Sequence, residues 1–173
     1  MNGDAEVTTA MRWLEAATPT LTQAARSLDT IGPPHAFLHR DTRSDNLRWT
    51  PGGLRLVDWP HVGVGPPEED VAAFAQSVTT EGGPLPEQVM DWYAERILVR
   101  PFVLDAAVAD LAGFFADQAW RPAIPGLPRL RSFQRAQLSV TLAWTARRLD
   151  LPSPTWLNPR LPSSPSRRRL TDY

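Results

Sequence analysis

Four polar side chains stand close together in the run FLHRDTRSDNLRW, residues 37 to 49: His39, Asp41, Asp45 and Asn46. The spacing of three of them is H-x-D-x-x-x-x-N, and a further carboxylate, Asp58, ends the run LRLVDW but for one residue. Between them, Pro51-Gly52-Gly53 is a turn signal separating two strand-like runs, Leu47-Arg48-Trp49 and Leu54-Arg55-Leu56-Val57. A hairpin there returns the chain to where it began, so Asn46 and Asp58 become neighbours although twelve residues separate them. One neutral and one ionised oxygen ligand of this kind suit Mg²⁺, which favours few protein oxygens and fills its other positions with water and phosphate. Asp41 on the same loop can accept a proton from a hydroxyl as that oxygen attacks a metal-bound phosphoryl group. These residues therefore point to phosphoryl transfer. A zinc hydrolase built from His35, His39, His61 and Asp41 is a poorer fit, because no His-x-x-His or His-x-x-x-His pair puts two ligands on one face. Asp45 reads as a loop cap or a solvated carboxylate.

The elements that position these groups are mostly helical. Asp4 to Ala17 carries Val7, Met11 and Leu14 at helical spacing, and Thr18-Pro19 supplies a fresh N-cap and first-turn proline for a second helix to about Leu28. A short apolar run, Ala36 to Leu38, leads into the polar loop and the hairpin. Glu68, Glu69 and Asp70 then sit where the positive end of a helix favours acids, with Val71, Phe74 and Val78 as its buried stripe. Further helices are predicted from Pro86 to about Val99, around Leu104 to Trp120, and from Arg131 to Leu149. Pro101 should stop the first of these. The chain thus reads as α+β and mostly helical, with one domain over residues 1–150 and a Pro/Ser/Arg-rich tail over 151–173 whose end is expected to be disordered.

Composition narrows the partners. The formal charge of −1 gives no global field for nucleic acid or an anionic membrane. There is no cysteine, which removes disulfides, thiolate metal sites and cysteine nucleophiles. No apolar run reaches membrane-span length and MNGDAEVTT lacks a signal-peptide pattern, so the expected location is the cytoplasm. All 18 basic residues are arginine and none is lysine.

HRDTRSDN, then LRLVDW, then GPPEEDVAAFA resembles the catalytic half of the aminoglycoside phosphotransferase and choline kinase superfamily, distant relatives of the protein kinases. The resemblance covers roughly residues 36 to 80 and rests on three motifs in order. It implies the helical C-terminal lobe of a protein-kinase-like fold, using ATP or another nucleoside triphosphate with Mg²⁺ to phosphorylate a hydroxyl of a small molecule. It further implies Asp41 as base, Asn46 and Asp58 as magnesium and nucleotide ligands, His39 as a support of the catalytic loop, and Asp70 in a structural role. Protein kinases proper fit less well, since Trp59-Pro60 replaces their phenylalanine-glycine pair and no Ala-Pro-Glu follows.

Two departures from that pattern set further expectations. Family members carry an N-terminal sheet lobe that covers the nucleotide and contributes a lysine, whereas the residues before Asp41 read as helix and the chain has no lysine. The sequence is therefore expected to be the C-terminal part of a longer protein, exposing apolar surface that a missing lobe or a second copy would cover. The alternative is a non-catalytic remnant that acts as a binding or interaction module. As for the acceptor, Asp91, Glu95, Asp105, Asp110 and Asp117 lie on helices that could wall a cleft for a cationic acceptor, but ordinary solvated helix faces explain each of them better.

Overall fold

A computed structural model describes residues 2–157, with side chains from residue 7 onward. The greater part of the expected tail, residues 158–173, lies outside the described residues. Among the described residues there are five α-helices and two small antiparallel sheets: α1 (Asn2–Arg26), β1 (Ala36–Leu38), β2 (Leu47–Thr50), β3 (Gly53–Leu56), β4 (Gly63–Gly65), α2 (Glu68–Thr80), α3 (Pro86–Ala94), α4 (Pro101–Gln118) and α5 (Leu130–Arg148). The mostly helical α+β class follows directly from the helical spacing of the sequence.

The core is two apolar clusters strung along α4. Leu104, Ala107 and Val108 meet Val71, Ala72 and Ala75 of α2, Val89 and Met90 of α3, and Trp144 of α5. One and two turns further on, Ala112, Phe115 and Ala119 meet Trp13 and Ala17 of α1 and Leu138, Leu142 and Ala146 of α5. Helix α4 is thus covered on several sides over its first half, which is why its sequence, VLDAAVADLAG, is apolar nearly all round. Pro101 opens this helix instead of merely ending the previous one, because its fixed φ suits the first helical position and its missing N–H costs nothing there. Helix α3 stops at Ala94, well short of the expected Val99; Leu98 is exposed and offers no buried stripe to prolong it.

The two expected N-terminal helices are one. Helix α1 runs through Pro19, whose ring removes one backbone hydrogen bond but faces outward. Trp13, Ala17 and the partly buried Leu21 carry a single apolar stripe past the proline onto α4 and α5, and Thr18 Oγ1 donates to the Leu14 carbonyl at 2.5 Å. Packing of that continuous stripe outweighs the roughly 3 kcal/mol that an interior proline costs. The segment 151–157 also packs back on this cluster: Trp13 Nε1 donates to the Pro152 carbonyl at 2.7 Å, and the Trp13 and Trp156 rings meet edge to face.

The hairpin β2–β3 forms as read, in the register Leu47 to Leu56 and Thr50 to Gly53, although its second strand ends at Leu56 and not at Asp58. Strand β4 was not foreseen. It pairs with β1, Ala36 opposite Gly65 and Leu38 opposite Gly63, and so closes a second ladder around the segment 39–62.

Candidate active site

Residues 39–46 leave β1, cross the molecule's surface and enter β2 through a single 3₁₀ turn, Ser44–Asn46. Three sets of bonds fix this loop. His39 is fully buried; its Nε2 lies 2.9 Å from the Val57 carbonyl and its Nδ1 accepts the Asp41 N–H at 3.3 Å. A carbonyl only accepts, so Nε2 carries the ring hydrogen and Nδ1 the lone pair. The Trp59 ring covers the imidazole at 4.5 Å between centroids. The carboxylate of Asp70 accepts two backbone N–H groups, His39 at 2.7 Å and Arg40 at 2.8 Å. Arg40 has φ of 60°, an uncommon setting for a side chain of this size, and the Asp70 bond holds it there immediately before Asp41.

Asp41 is gripped from two sides. Asn46 Nδ2 donates to its carbonyl at 2.8 Å and to its Oδ2 at 3.0 Å. A terminal nitrogen of Arg43 donates to Oδ2 at 3.3 Å and also reaches Asp45 Oδ2 at 3.2 Å, while its Nε lies 2.9 Å from Oδ1 as an ion-pair contact without a hydrogen bond. Asp45 is thereby an ion-pair partner of Arg43 at the loop's edge. The buried Asn46 spends its amide nitrogen on Asp41, which leaves its amide oxygen as the atom with ligand capacity. The Val57 N–H donates to the Asn46 carbonyl at 2.9 Å, so the hairpin does set the residue next to Asp58 against Asn46. Asp58 is exposed and has φ of 60°, a left-handed setting that an aspartate tolerates better than most residues. Two hard oxygens from Asn46 and Asp58 suit a magnesium that keeps water and phosphate as its other ligands, and among the described residues no group of three or more His, Cys, Asp or Glu offers a fuller metal cage. His35 and His61 do not join such a cage, although both face the groove described next.

The three acids that open α2 each serve a different neighbour. Glu68 pairs with Arg100 at 2.8 Å, Glu69 faces Arg40 at 3.6 Å, and Asp70 holds the loop backbone. Burial pushes the Glu68 carboxyl up, but the hydrogen bonds and charge of Arg100 outweigh it and the carboxyl lies below its ordinary value. Burial also pushes the Glu69 carboxyl up, and there the rise prevails, against Arg40 and with help from Asp110 and Asp70. Arg100 also donates to the Gly32 and Pro34 carbonyls, tying the entry to β1 onto α2 and α4. The sequence reading missed the roles of Glu68 and Arg43. For Arg43 the signal was present, a cation two residues beyond the candidate base; Arg100 lies 32 residues from Glu68 and left no local trace.

Asp41 opens onto a groove of about 1110 Å³ bounded by α2, α4 and α5 and by the β4 segment. The loop thus presents the Asp41 carboxylate at a groove, with the Asn46 amide against it and the buried His39 bracing it from behind. Residues 2–96 match the family model described as the phosphotransferase enzyme family.

The chain belongs to that family. This phosphotransferase-family chain is also similar to thiamine kinases of Salmonella heidelberg, Salmonella typhi and Salmonella typhimurium, each 35% identical over 83 residues. That stretch is 46% of this chain and 29% of each relative, so the chain spans less than a third of the length of the curated relatives it matches. No solved structure matches. Among the described residues no helix is long and apolar enough to cross a membrane.

Proposed function

We propose that this chain carries the catalytic loop and acceptor groove of an ATP-dependent kinase that phosphorylates a hydroxyl of a small molecule, as the helical lobe of a protein-kinase-like fold. The observation that carries the proposal is the hold on Asp41: a carboxylate fixed by Asn46 and Arg43 at the mouth of a groove, on a loop that His39 and Asp70 brace from behind. Asp41 accepts the proton of the attacking hydroxyl. The Asn46 amide oxygen and the Asp58 carboxylate are the ligands for Mg²⁺, which, when bound with nucleotide, supplies charge neutralisation at the transferring phosphoryl group. His39 and Asp70 touch no reactant in this scheme. They set the backbone from which Asp41 projects.

A nucleotide-covering lobe and its phosphate-binding lysine are not found within the 173 residues, which contain no lysine. In this reading a further lobe supplies them, docking on the exposed apolar side of the two small sheets. Thiamine, named in the relatives, is the first acceptor to try. With labelled ATP, Mg²⁺ and thiamine, the longer protein should transfer label, and Asp41→Asn should lower turnover by about 10²-fold or more. Full activity in that variant would remove Asp41 from the chemistry.

A second reading, a binding module without turnover, is favoured by one observation: Oδ2 of Asp41 already accepts from both Arg43 and Asn46, and Arg43 Nε stands 2.9 Å from Oδ1 as an ion-pair contact. Under that reading neither the 173 residues nor a longer protein containing them turns over ATP, and wild type and Asp41→Asn bind ligands alike.

A further inference from the structure

Helices α1 and α5 each pack along α4 but not along one another, and the cleft between them is a second cavity, of about 890 Å³. Among the described residues it shares only Ala25 and Arg26 with the groove at Asp41. Leu14 and Leu21 of α1 and Leu138 and Leu142 of α5 wall it, and the wall on α1 runs from Val7 to Arg26, about 28 Å of helix. Its floor is Ala109, Ala112, Gly113 and Ala116, brought to one face of α4 by their spacing of three and four. The small side chains give the cleft its depth. A Cβ on Gly113 would meet nothing within 4 Å, and Gly113 and Ala116 are exposed although a helix flanks them on either side.

Two features say what would fill such a cleft. The first is the poverty of its walls in hydrogen-bond donors: the Thr18 hydroxyl donates to the Leu14 carbonyl and the Ser139 hydroxyl to the Arg135 carbonyl, each within its own helix, which leaves that of Thr22. A ligand with polar groups along its length would bury them unpaired, whereas a hydrocarbon chain has none to lose. The second feature is one-sided charge. Among the described residues that line the cleft none is acidic, while Arg26 and Arg135 are cationic and neither has an ion pair among the described residues. Arg135 gives one N–H to the Ala119 carbonyl at 3.2 Å and lies over the Trp120 ring, 5.6 Å from its centroid. The guanidinium is thus steadied beside the C-terminal end of α4 by a neutral oxygen and a ring face, with donors left for an anion.

We infer that the cleft between α1 and α5 binds a long-chain fatty acid as its carboxylate anion, the hydrocarbon chain lying along the small-residue floor of α4 and the head on Arg135. A carboxylate matches the planar fork of a guanidinium, and the lining offers it no competing acid. The volume is that of an ordinary small-ligand site. Nothing in this assignment uses Asp41, Asn46 or Asp58, so it stands apart from the proposed phosphotransfer.

The test is displacement of cis-parinaric acid, a fatty acid that fluoresces by energy transfer from tryptophan, from the 173-residue chain without nucleotide and below micelle-forming concentrations. Palmitate should compete about tenfold or more better than methyl palmitate, which has the chain without the charge, and than hexadecylamine, whose charge is opposite. Arg135→Met keeps the apolar stem and should erase the preference over methyl palmitate. Gly113→Leu fills open space on the floor, so it should weaken palmitate binding about tenfold or more while the thermal midpoint holds or rises. Equal binding of the three amphiphiles, a preference that survives Arg135→Met, or wild-type binding by Gly113→Leu would overturn the inference. Absence of palmitate binding would overturn it too, and a dimer that Gly113→Leu breaks in sedimentation velocity would then give the cleft to a second copy of the chain. Asp41→Asn should bind palmitate as the wild type does, so failed turnover and a failed cleft give different results.

Discussion

Asp70 has the most exacting task of any single residue near the loop. Its two oxygens accept neighbouring backbone N–H groups, His39 and Arg40, and Arg40 is the one in the left-handed region. Asp70→Asn replaces one acceptor oxygen by a donor, so one of the two N–H groups loses its partner. The expected cost is about 1–3 kcal/mol, read as a lower midpoint in urea. Glu68 invites a pH test. Its folded carboxyl lies below the ordinary 4.5, so the unfolded chain binds the proton more readily. The Glu68–Arg100 contribution is then complete above pH 4.5 and is lost as pH falls through the lower folded value. Glu69, whose carboxyl is raised, acts with the opposite sign and gains from protonation. In urea titrations on either side of pH 4.5, Glu68→Gln should flatten the acid decline. At neutral pH it should cost about 3 kcal/mol by leaving Arg100 without its buried partner. Asp41, Asn46, Asp58 and Asp70 were legible as candidates because their order along the chain is itself the signal. The Glu68–Arg100 pair was not, since partners across a fold leave no periodicity.

Among the elements, the antiparallel pair β1–β4 is the one whose construction the sequence concealed. Its strand is Gly63-Val64-Gly65, and glycines do not advertise a strand. They are there for close approach, and the two differ. A Cβ on Gly63 would lie 2.9 Å from the Arg40 guanidinium carbon, the far end of a half-exposed side chain that can swing away. A Cβ on Gly65 would lie 2.8 Å from a methyl of Leu38, which is fully buried, and 2.5 Å from a Glu69 oxygen. Gly63→Ala should therefore cost less than about 1 kcal/mol, mostly the Arg40–Glu69 pair, and Gly65→Ala about 2–3 kcal/mol through overpacking. Thermal denaturation of the two variants gives the order, and a reversed order would mean that β4 packs otherwise. The helices were more legible, since their stripes follow the helical period; even so, Pro19 was read as a boundary because local chemistry cannot anticipate a tertiary stripe strong enough to cross it.

Across the whole molecule, apolar side chains collect on the outside of both small sheets. Phe37 is 81% exposed opposite Val64, and Trp49 is 83% exposed opposite Leu54. Such cross-strand pairs normally face a core. The 173-residue chain alone should self-associate through this side, and Phe37→Arg with Trp49→Arg should shift it toward monomer in sedimentation velocity; a wild-type chain that stays monomeric at high concentration would count against the surface being an interface. The opposite side of the loop is secured by α2 alone. Its first turn spends Glu68, Glu69 and Asp70 on Arg100, Arg40 and the loop backbone, while Val71 and Ala72 enter the core directly after. Each added residue turns a helix by about 100°. One residue inserted between Asp70 and Val71 would keep every side chain of the site yet swing all three acids off their partners at once. This turn can thus absorb changes of letter but not of length, and random insertions and deletions selected for folding should leave the junction from Pro67 to Ala72 untouched while accumulating in the Pro122–Pro128 connection.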